Sequence, residues 1–139
     1  MEKKYKVGYT TGVFDLFHIG HLNILRRAKE RCEYLIVGVS TDEVVRNYKN
    51  KTPIIPFEER AAIVEAIKYV DEVVVQDNMD KVEAWERLKF DALFHGDDWK
   101  NSDMYNTLEA KLKERGVDMV FLPHTDGISS TDIVKRTGK

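Results

Sequence analysis

The 139 residues are enough for one domain with a substantial hydrophobic core. Hydrophobic residues at 42% and charged residues at 33% exclude a disordered chain, and a formal net charge of −2 gives no global basic field to recruit nucleic acid or an acidic membrane. The single cysteine, Cys32, excludes an internal disulfide and a multi-cysteine metal site, which suits a reducing cytoplasm.

No apolar run approaches the roughly 20 residues that span a bilayer. The start, Met1-Glu2-Lys3-Lys4, lacks the apolar stretch of a signal peptide, so a single cytoplasmic domain over 1–139 is expected. Lys6 to Thr11 reads as a first strand and leads into a loop around Gly12. From His21 to Arg31, Leu22, Ile24, Leu25 and Ala28 alternate with basic and acidic residues at helical spacing. Tyr34 to Val39 is apolar and β-branched, as in a parallel strand covered on both faces. Ser40-Thr41-Asp42-Glu43 reads as a helix start, predicting a helix over Asp42 to Tyr48, and 47–56, with Pro53 and Pro56, reads as a loop. Helix follows from Phe57 to Lys68, strand from Glu72 to Gln76, helix from Lys81 to Lys89 and strand from Ala92 to His95. Met104 to Arg115 is a helix stopped by Gly116, Asp118 to Leu122 a fifth strand, 123–127 a turn, and Ser129 to Lys135 a last helix. Strands alternating with helices predict an α/β fold with a parallel sheet, whose ligands sit beyond the carboxyl ends of the strands.

The loop after the first strand carries His18-Ile19-Gly20-His21. Two imidazoles three residues apart at the mouth of a helix can face one ligand. The helix amino end welcomes an anion, and Gly20 removes a side chain where phosphate oxygens would approach. Protonated or hydrogen-bonding imidazoles there can stabilise charge on a phosphoryl group under attack. Zinc is the competing reading of a histidine pair, but no third ligand stands at a suitable spacing.

The segment Gly12 to His21 resembles the signature of the nucleotidyltransferase superfamily with the His-x-Gly-His motif. That resemblance implies a Rossmann-like, doubly wound, five-stranded parallel sheet with helices on both faces. It also implies transfer of a nucleoside monophosphate from an NTP to a phosphate acceptor, with release of pyrophosphate. Lys68-Tyr69-Val70-Asp71-Glu72-Val73, Gly96-Asp97-Asp98-Trp99 and His124-Thr125-Asp126-Gly127-Ile128-Ser129-Ser130-Thr131 resemble blocks of the cytidylyltransferases, the second in the form found in bacterial glycerol-3-phosphate cytidylyltransferases. The likeness to that family implies CMP transfer from CTP, brought with Mg²⁺, to a small phosphorylated alcohol such as glycerol 3-phosphate. A homodimer with no nucleic acid or membrane partner, supplying a teichoic acid or capsule precursor, belongs to the same expectation.

The resemblance also assigns residues. His18 and His21 are expected to organise the triphosphate, and Lys49 and Lys51 to neutralise it. Thr11, Gly12, Phe14, Asp15 and Gly20 fall in the nucleotide-binding loop. Asp97 and Trp99 are expected at the cytidine, while His124, Thr125, Gly127, Ile128 and Ser129 form the closing phosphate-binding block. Arg60 and Lys68 are expected at the substrate, and no protein-held metal is expected. The plain readings stand beside these: solvated lysines, Asp97 as a turn cap, Trp99 as packing, Ser129 as a helix cap, and Asp15 as a brace for its loop rather than an orienter of a histidine or a cation ligand. His124 and Lys68 stand where the family usually carries arginine, and neither copies its planar fork. The departures bear on base preference and acceptor more than on reaction class. Adenylyl transfer is the nearest rival, because Ile128-Ser129-Ser130-Thr131 is similar to a stretch of enzymes that make dinucleotide cofactors, although Val134 stands where those carry arginine. A non-catalytic nucleotide-binding module is the reading from a different class.

Overall fold

Alternating apolar strands and amphipathic helices fold into ten elements in the computed structural model, which describes residues 4–96 and 103–123. They are β1 (Tyr5–Gly12), α1 (Ile19–Lys29), β2 (Cys32–Ser40), α2 (Asp42–Lys49), α3 (Phe57–Glu65), β3 (Glu72–Gln76), α4 (Lys81–Leu88), β4 (Ala92–Gly96), α5 (Asp103–Lys113) and β5 (Asp118–Leu122). Every strand pair is parallel, and the order across the sheet is β3-β2-β1-β4-β5. The chain winds outward from β1 to β3, returns to the middle and continues through β4 to β5. The reversal falls between β1 and β4, where an open α/β sheet leaves a crevice. Gly12, Ser40, Gln76, Gly96 and Leu122 all end their strands on that same edge.

Both faces of the sheet are covered because the strands alternate which side chains they send to each side. Leu35, Val37, Val39 and Phe94 pack against Leu25 and Ala28 of α1 and Val64 of α3. The intervening Ile36 and Leu93, with Tyr9, pack against Ala84 of α4 and Tyr105 and Leu112 of α5. The doubly wound five-stranded architecture expected from the sequence is therefore present.

Element ends differ from the reading in places, each for a local reason. Helix α1 begins two residues before His21 because the His18 ring caps it, accepting from the Gly20 amide at 3.0 Å; imidazole is not among the side chains that usually announce a cap. Helix α3 stops at Glu65 instead of Lys68, since the amides of Ala66 and Ile67 turn to carbonyls three residues back and tighten the chain into turns. Gly116, with φ of +76°, ends the helical path after α5. The expected final helix at 129–135 lies outside the described residues. Asp71, in the Tyr-Val-Asp-Glu-Val block, serves the fold: one carboxylate oxygen accepts from the Leu35 amide at 2.7 Å and from Lys29 at 2.6 Å.

At Gly8 the β1 backbone packs closely against the side chains of Phe94 and Cys32. A Cβ on Gly8 would lie 2.5 Å from the Phe94 ring and 2.8 Å from Cys32 Sγ, and both neighbours are completely buried. Gly8→Ala is therefore expected to destabilise the protein by about 1–3 kcal/mol through overpacking. Urea unfolding checks this, with an unchanged midpoint as the contrary result.

Candidate active site

The site is assembled by the loop between β1 and α1, which takes an uncommon path. Phe14 and Leu16 have φ of 56° and 51°, left-handed values that cost a side-chain-bearing residue about 1–3 kcal/mol. Three contacts hold the path. Phe14 is buried with its ring over Gly12, where a Cβ would come within 3.0 Å of it. Asp15 accepts from the amides of Ile54 and Ile55 at 2.8 and 2.9 Å, tying the loop to the segment before α3. Below both, Arg60 is 0% exposed and donates to the carbonyls of Val13, Ser40 and Ile55 at 2.7–2.8 Å and to the Asp42 carboxylate.

On this base stand the two histidines. The His18 Nδ1 accepts from the Gly20 amide, and the His21 Nδ1 accepts from the His18 amide at 3.2 Å, so the two rings form a reciprocal cap for α1. An Nδ1 that accepts an amide hydrogen carries no proton, so each neutral ring holds its proton on Nε2 and presents it as a donor. The rings stack at 3.9 Å between centroids, and Phe14 and Phe17 crowd His21 at 5.4 and 5.3 Å. Burial, then the neighbouring His18, pushes the His21 pKa down to about 4, against 6.5 ordinarily; burial also lowers that of His18. These are neutral hydrogen-bond donors at neutral pH, not the imidazolium pair that the sequence left open.

Two chambers open above the strand ends. The smaller, of 240 Å³, is lined by Gly12, Asp15, His21, Lys49, Lys51 and Gly96 among others. The larger, of 610 Å³, runs past the ends of β2 and β3 and under α5, with Ser40, Gln76, Lys81, Tyr105 and Lys111 in its walls. Thr11, Gly12, Lys49 and His95 border both, so the chambers meet at the end of β1. Partial burial, then the nearby Lys51, lowers the pKa of Lys49, a strain that an incoming anion would relieve. Tyr105 Oη and His95 Nε2 are 2.8 Å apart, and Ser40 donates to Gln76 Oε1 at 2.6 Å, bracing the chamber wall.

The fold thus brings Thr11, Gly12, Phe14, Asp15, Gly20, His18, His21, Lys49 and Lys51 to one edge of the sheet. Within that group Gly20 commits its amide to the cap, and Asp15 commits its carboxylate to the loop. Two expectations need correction. Arg60 was expected at the substrate, but its guanidinium is enclosed by protein acceptors and works as a brace beneath the site. Lys68 is exposed between α3 and β3, against the Tyr69 ring, at the opposite edge of the sheet. The five residues of β3, about 16 Å of strand, separate that edge from the chambers. Asp97, Trp99, His124, Thr125, Gly127, Ile128 and Ser129 lie outside the described residues. Sequence reasoning missed Ser40, Gln76, Lys81 and His95; their one signal was position, each at or just beyond a strand's carboxyl end.

Comparison with known proteins places the chain by sequence and fold. The sequence profile described as cytidylyltransferase-like matches residues 9–136. A glycerol-3-phosphate cytidylyltransferase of Bacillus spizizenii is 42% identical over 127 residues, covering 91% of this chain and 92% of that one. An FAD synthase of Pyrococcus abyssi is 39% identical over 131 residues, covering 90% and 87%. The crystal structure of a lipopolysaccharide core biosynthesis protein from Thermoplasma volcanium superposes with a TM-score of 0.73 at 27% identity, covering 87% of this chain and 97% of that one.

The buried polar groups set two expectations. Arg60→Met keeps much of the volume but strands three carbonyls and the Asp42 carboxylate, so urea unfolding should show a loss of about 3–5 kcal/mol. A loss below 1 kcal/mol would mean that water replaces the guanidinium. The second concerns pH. The folded-state pKa of His21 is lowered to about 4, so between 6.5 and 4 the unfolded chain binds the extra proton. Its stabilisation is complete above pH 6.5 and is lost as pH falls, by up to about 3 kcal/mol. Unfolding midpoints followed from pH 7 to 4 should decline in His21→Asn less than in the parent.

Proposed function

The chain belongs to the cytidylyltransferase-like family, and on that footing we propose that it transfers CMP from CTP to a small phosphorylated alcohol, glycerol 3-phosphate before others. It is a nucleotidyltransferase enzyme, and CDP-glycerol and pyrophosphate are the products of this reading. The observation that carries it is the capped histidine pair, fixed by its Nδ1 atoms, with His21 lining the smaller chamber beside Gly12 and the two loop lysines.

In this mechanism a phosphate oxygen of the acceptor attacks the α-phosphorus of CTP in line. The bond from that phosphorus to the bridging oxygen breaks, and pyrophosphate leaves with the electron pair. The imidazoles donate hydrogen bonds to non-bridging oxygens as charge grows on them, without giving up a proton. Because the backbone already holds both rings, little reorganisation is left for the moment of reaction. Lys49 and Lys51 balance the triphosphate charge from the facing wall. Thr11 and Gly12 lie where the chambers meet, which suits the transferring phosphoryl group.

Mg²⁺ enters this reading on the nucleotide. Among the described residues no three His, Cys, Asp or Glu side chains gather to hold an ion, and both Asp15 oxygens are engaged by amides. When bound, the ion neutralises phosphate charge, and Lys49 and Lys51 complement it. A homodimer and a cytoplasmic location belong to the same reading. The open edge at β3, with Tyr34, Ile63 and Val75 exposed on and beside it, supports pairing of two copies. Among the described residues no helix is long and apolar enough to cross a membrane. The likeness to an FAD synthase, whose product contains adenine, supports adenylyl transfer as the second reading.

Pyrophosphate release with each of four NTPs, against glycerol 3-phosphate, ribitol phosphate, phosphocholine, phosphoethanolamine and nicotinamide mononucleotide, tests the proposal. CTP with glycerol 3-phosphate is expected to be the fastest pair, whereas dependence on ATP would give the case to adenylyl transfer. His18→Asn keeps a side-chain acceptor for the Gly20 amide while deleting the Nε2–H donor. It should stay folded and lose about 10²–10³ in turnover, the scale for one oxyanion donor; near-parent turnover would remove His18 from the mechanism.

A further inference from the structure

Lys81, the first residue of α4, is 5% exposed and lines the larger chamber. Among the described residues its ammonium makes no hydrogen bond and no ion pair. Asp80 is the carboxylate that acts on it, but Asp80 caps α4 by accepting from the amides of Val82 and Glu83, both at 3.0 Å. A lysine buried in this way is costly unless something fills the space with compatible charge or hydrogen-bond acceptors. Its surroundings do not offset it: the charged groups in the described wall are Lys49, Lys81 and Lys111 against Asp80.

Position says which part of the substrate it meets. The chambers join at the end of β1, around Thr11, Gly12 and Lys49. On the cytidylyltransferase reading the transferring phosphoryl group occupies that junction, and the acceptor phosphate lies beside it, within reach of the α-phosphorus. Strand β3 is two places from β1, about 10 Å across the sheet at ordinary strand spacing. Extended glycerol 3-phosphate, about 6 Å from phosphorus to its far hydroxyl, reaches from the junction past β2, and the side chains of Ser40, Gln76 and Lys81 that line the chamber close the remaining few ångströms.

Resting on the cytidylyltransferase reading, we propose that Lys81 determines acceptor specificity, admitting phospho-alcohols whose far end bears hydroxyl or anionic groups and excluding those whose far end is cationic. A hydroxyl oxygen can accept from the ammonium, and the Ser40–Gln76 pair supplies further polar partners. A protonated amine meets a like charge. Burial lowers the Lys81 pKa to about 8, which still leaves it roughly nine-tenths charged at pH 7. A like charge ~6 Å away, at an effective dielectric of ~20, corresponds to roughly a hundredfold in binding. The relevant comparison is glycerol 3-phosphate against phosphoethanolamine, which are similar in size and differ in the charge of the far end.

The test is kcat/KM for these two acceptors at saturating CTP in the parent, Lys81→Gln and Lys81→Arg. The parent should prefer glycerol 3-phosphate by about a hundredfold. Lys81→Gln should reduce that preference tenfold or more, mainly through KM for phosphoethanolamine, and Lys81→Arg should retain it. A parent that uses both acceptors equally overturns the inference. So does a Lys81→Gln protein that loses both activities in parallel, since a purely structural lysine would behave that way. Calorimetric binding of the two acceptors to each protein separates this inference from the reading beneath it. If no CMP is transferred but the parent binds glycerol 3-phosphate more tightly, and Lys81→Gln abolishes that preference, the role of Lys81 stands while the reaction falls. If neither acceptor binds the parent, the role of Lys81 falls too.

Discussion

A single buried guanidinium ties the site together. Arg60 joins the carbonyl of Val13 after β1, the carbonyl of Ser40 at the end of β2, the carbonyl of Ile55 before α3 and the carboxylate of Asp42 in α2. Val13, the Ser40–Asp42 stretch and Ile55 belong to three separate parts of the chain, and each carries or adjoins a side chain of the chambers. An arginine serves here because its fork directs several donors at once in one plane, and a lysine ammonium could not span them. Enclosing such a charge is tolerable only because its bonds are made to fixed acceptors. The Asp15 carboxylate repeats the device on a smaller scale, bridging the first loop to the Ile54 and Ile55 amides.

The histidines show how one set of atoms can serve both fold and chemistry. Capping α1 uses the Nδ1 atoms, and this fixes the tautomer that leaves Nε2–H pointing away from the helix backbone. Burial then lowers both pKa values, that of His21 with Phe14 and Phe17 packed against its ring and His18 stacked on it. In the proposed reaction a neutral donor suits oxyanions that are to be stabilised without proton exchange. The loop that carries the rings accepts left-handed backbone at Phe14 and Leu16, so local strain is set against hydrogen bonds made elsewhere.

Above this base the division into two chambers follows from the sheet. Winding outward in both directions from the middle leaves one crevice at the reversal and a second space over β2 and β3. In the proposed reaction, chemistry concentrates at the first, where the end of β1, His21 and the two loop lysines converge. In the proposal above, selection among acceptors falls to the second, whose wall carries Lys81 beside Ser40 and Gln76. Such a separation lets the acceptor wall vary without disturbing the groups that act on the nucleotide.

Much of this was legible in the amino-acid order. Period-two and helical apolar patterns marked nearly every described element, because burial on a pleated sheet or a helix face demands those spacings. The motif from Gly12 to His21 indicated the reaction class. Boundaries failed where the cap was an imidazole or the helix tightened into turns, since those depend on hydrogen bonds rather than composition. Arg60 and Lys68 illustrate the deeper limit. Each is a basic residue near a family block, and the family resemblance implied that both lie at the substrate. Folding sends Arg60 beneath the floor and Lys68 to the far edge of the sheet, and brings Lys81 into the larger chamber. The strand and helix pattern and the histidine motif could be read along the chain because they are properties of neighbouring residues. Burial, tautomer and the direction of each charge were decided by the folded molecule, because they depend on segments that meet only when the sheet closes its two layers.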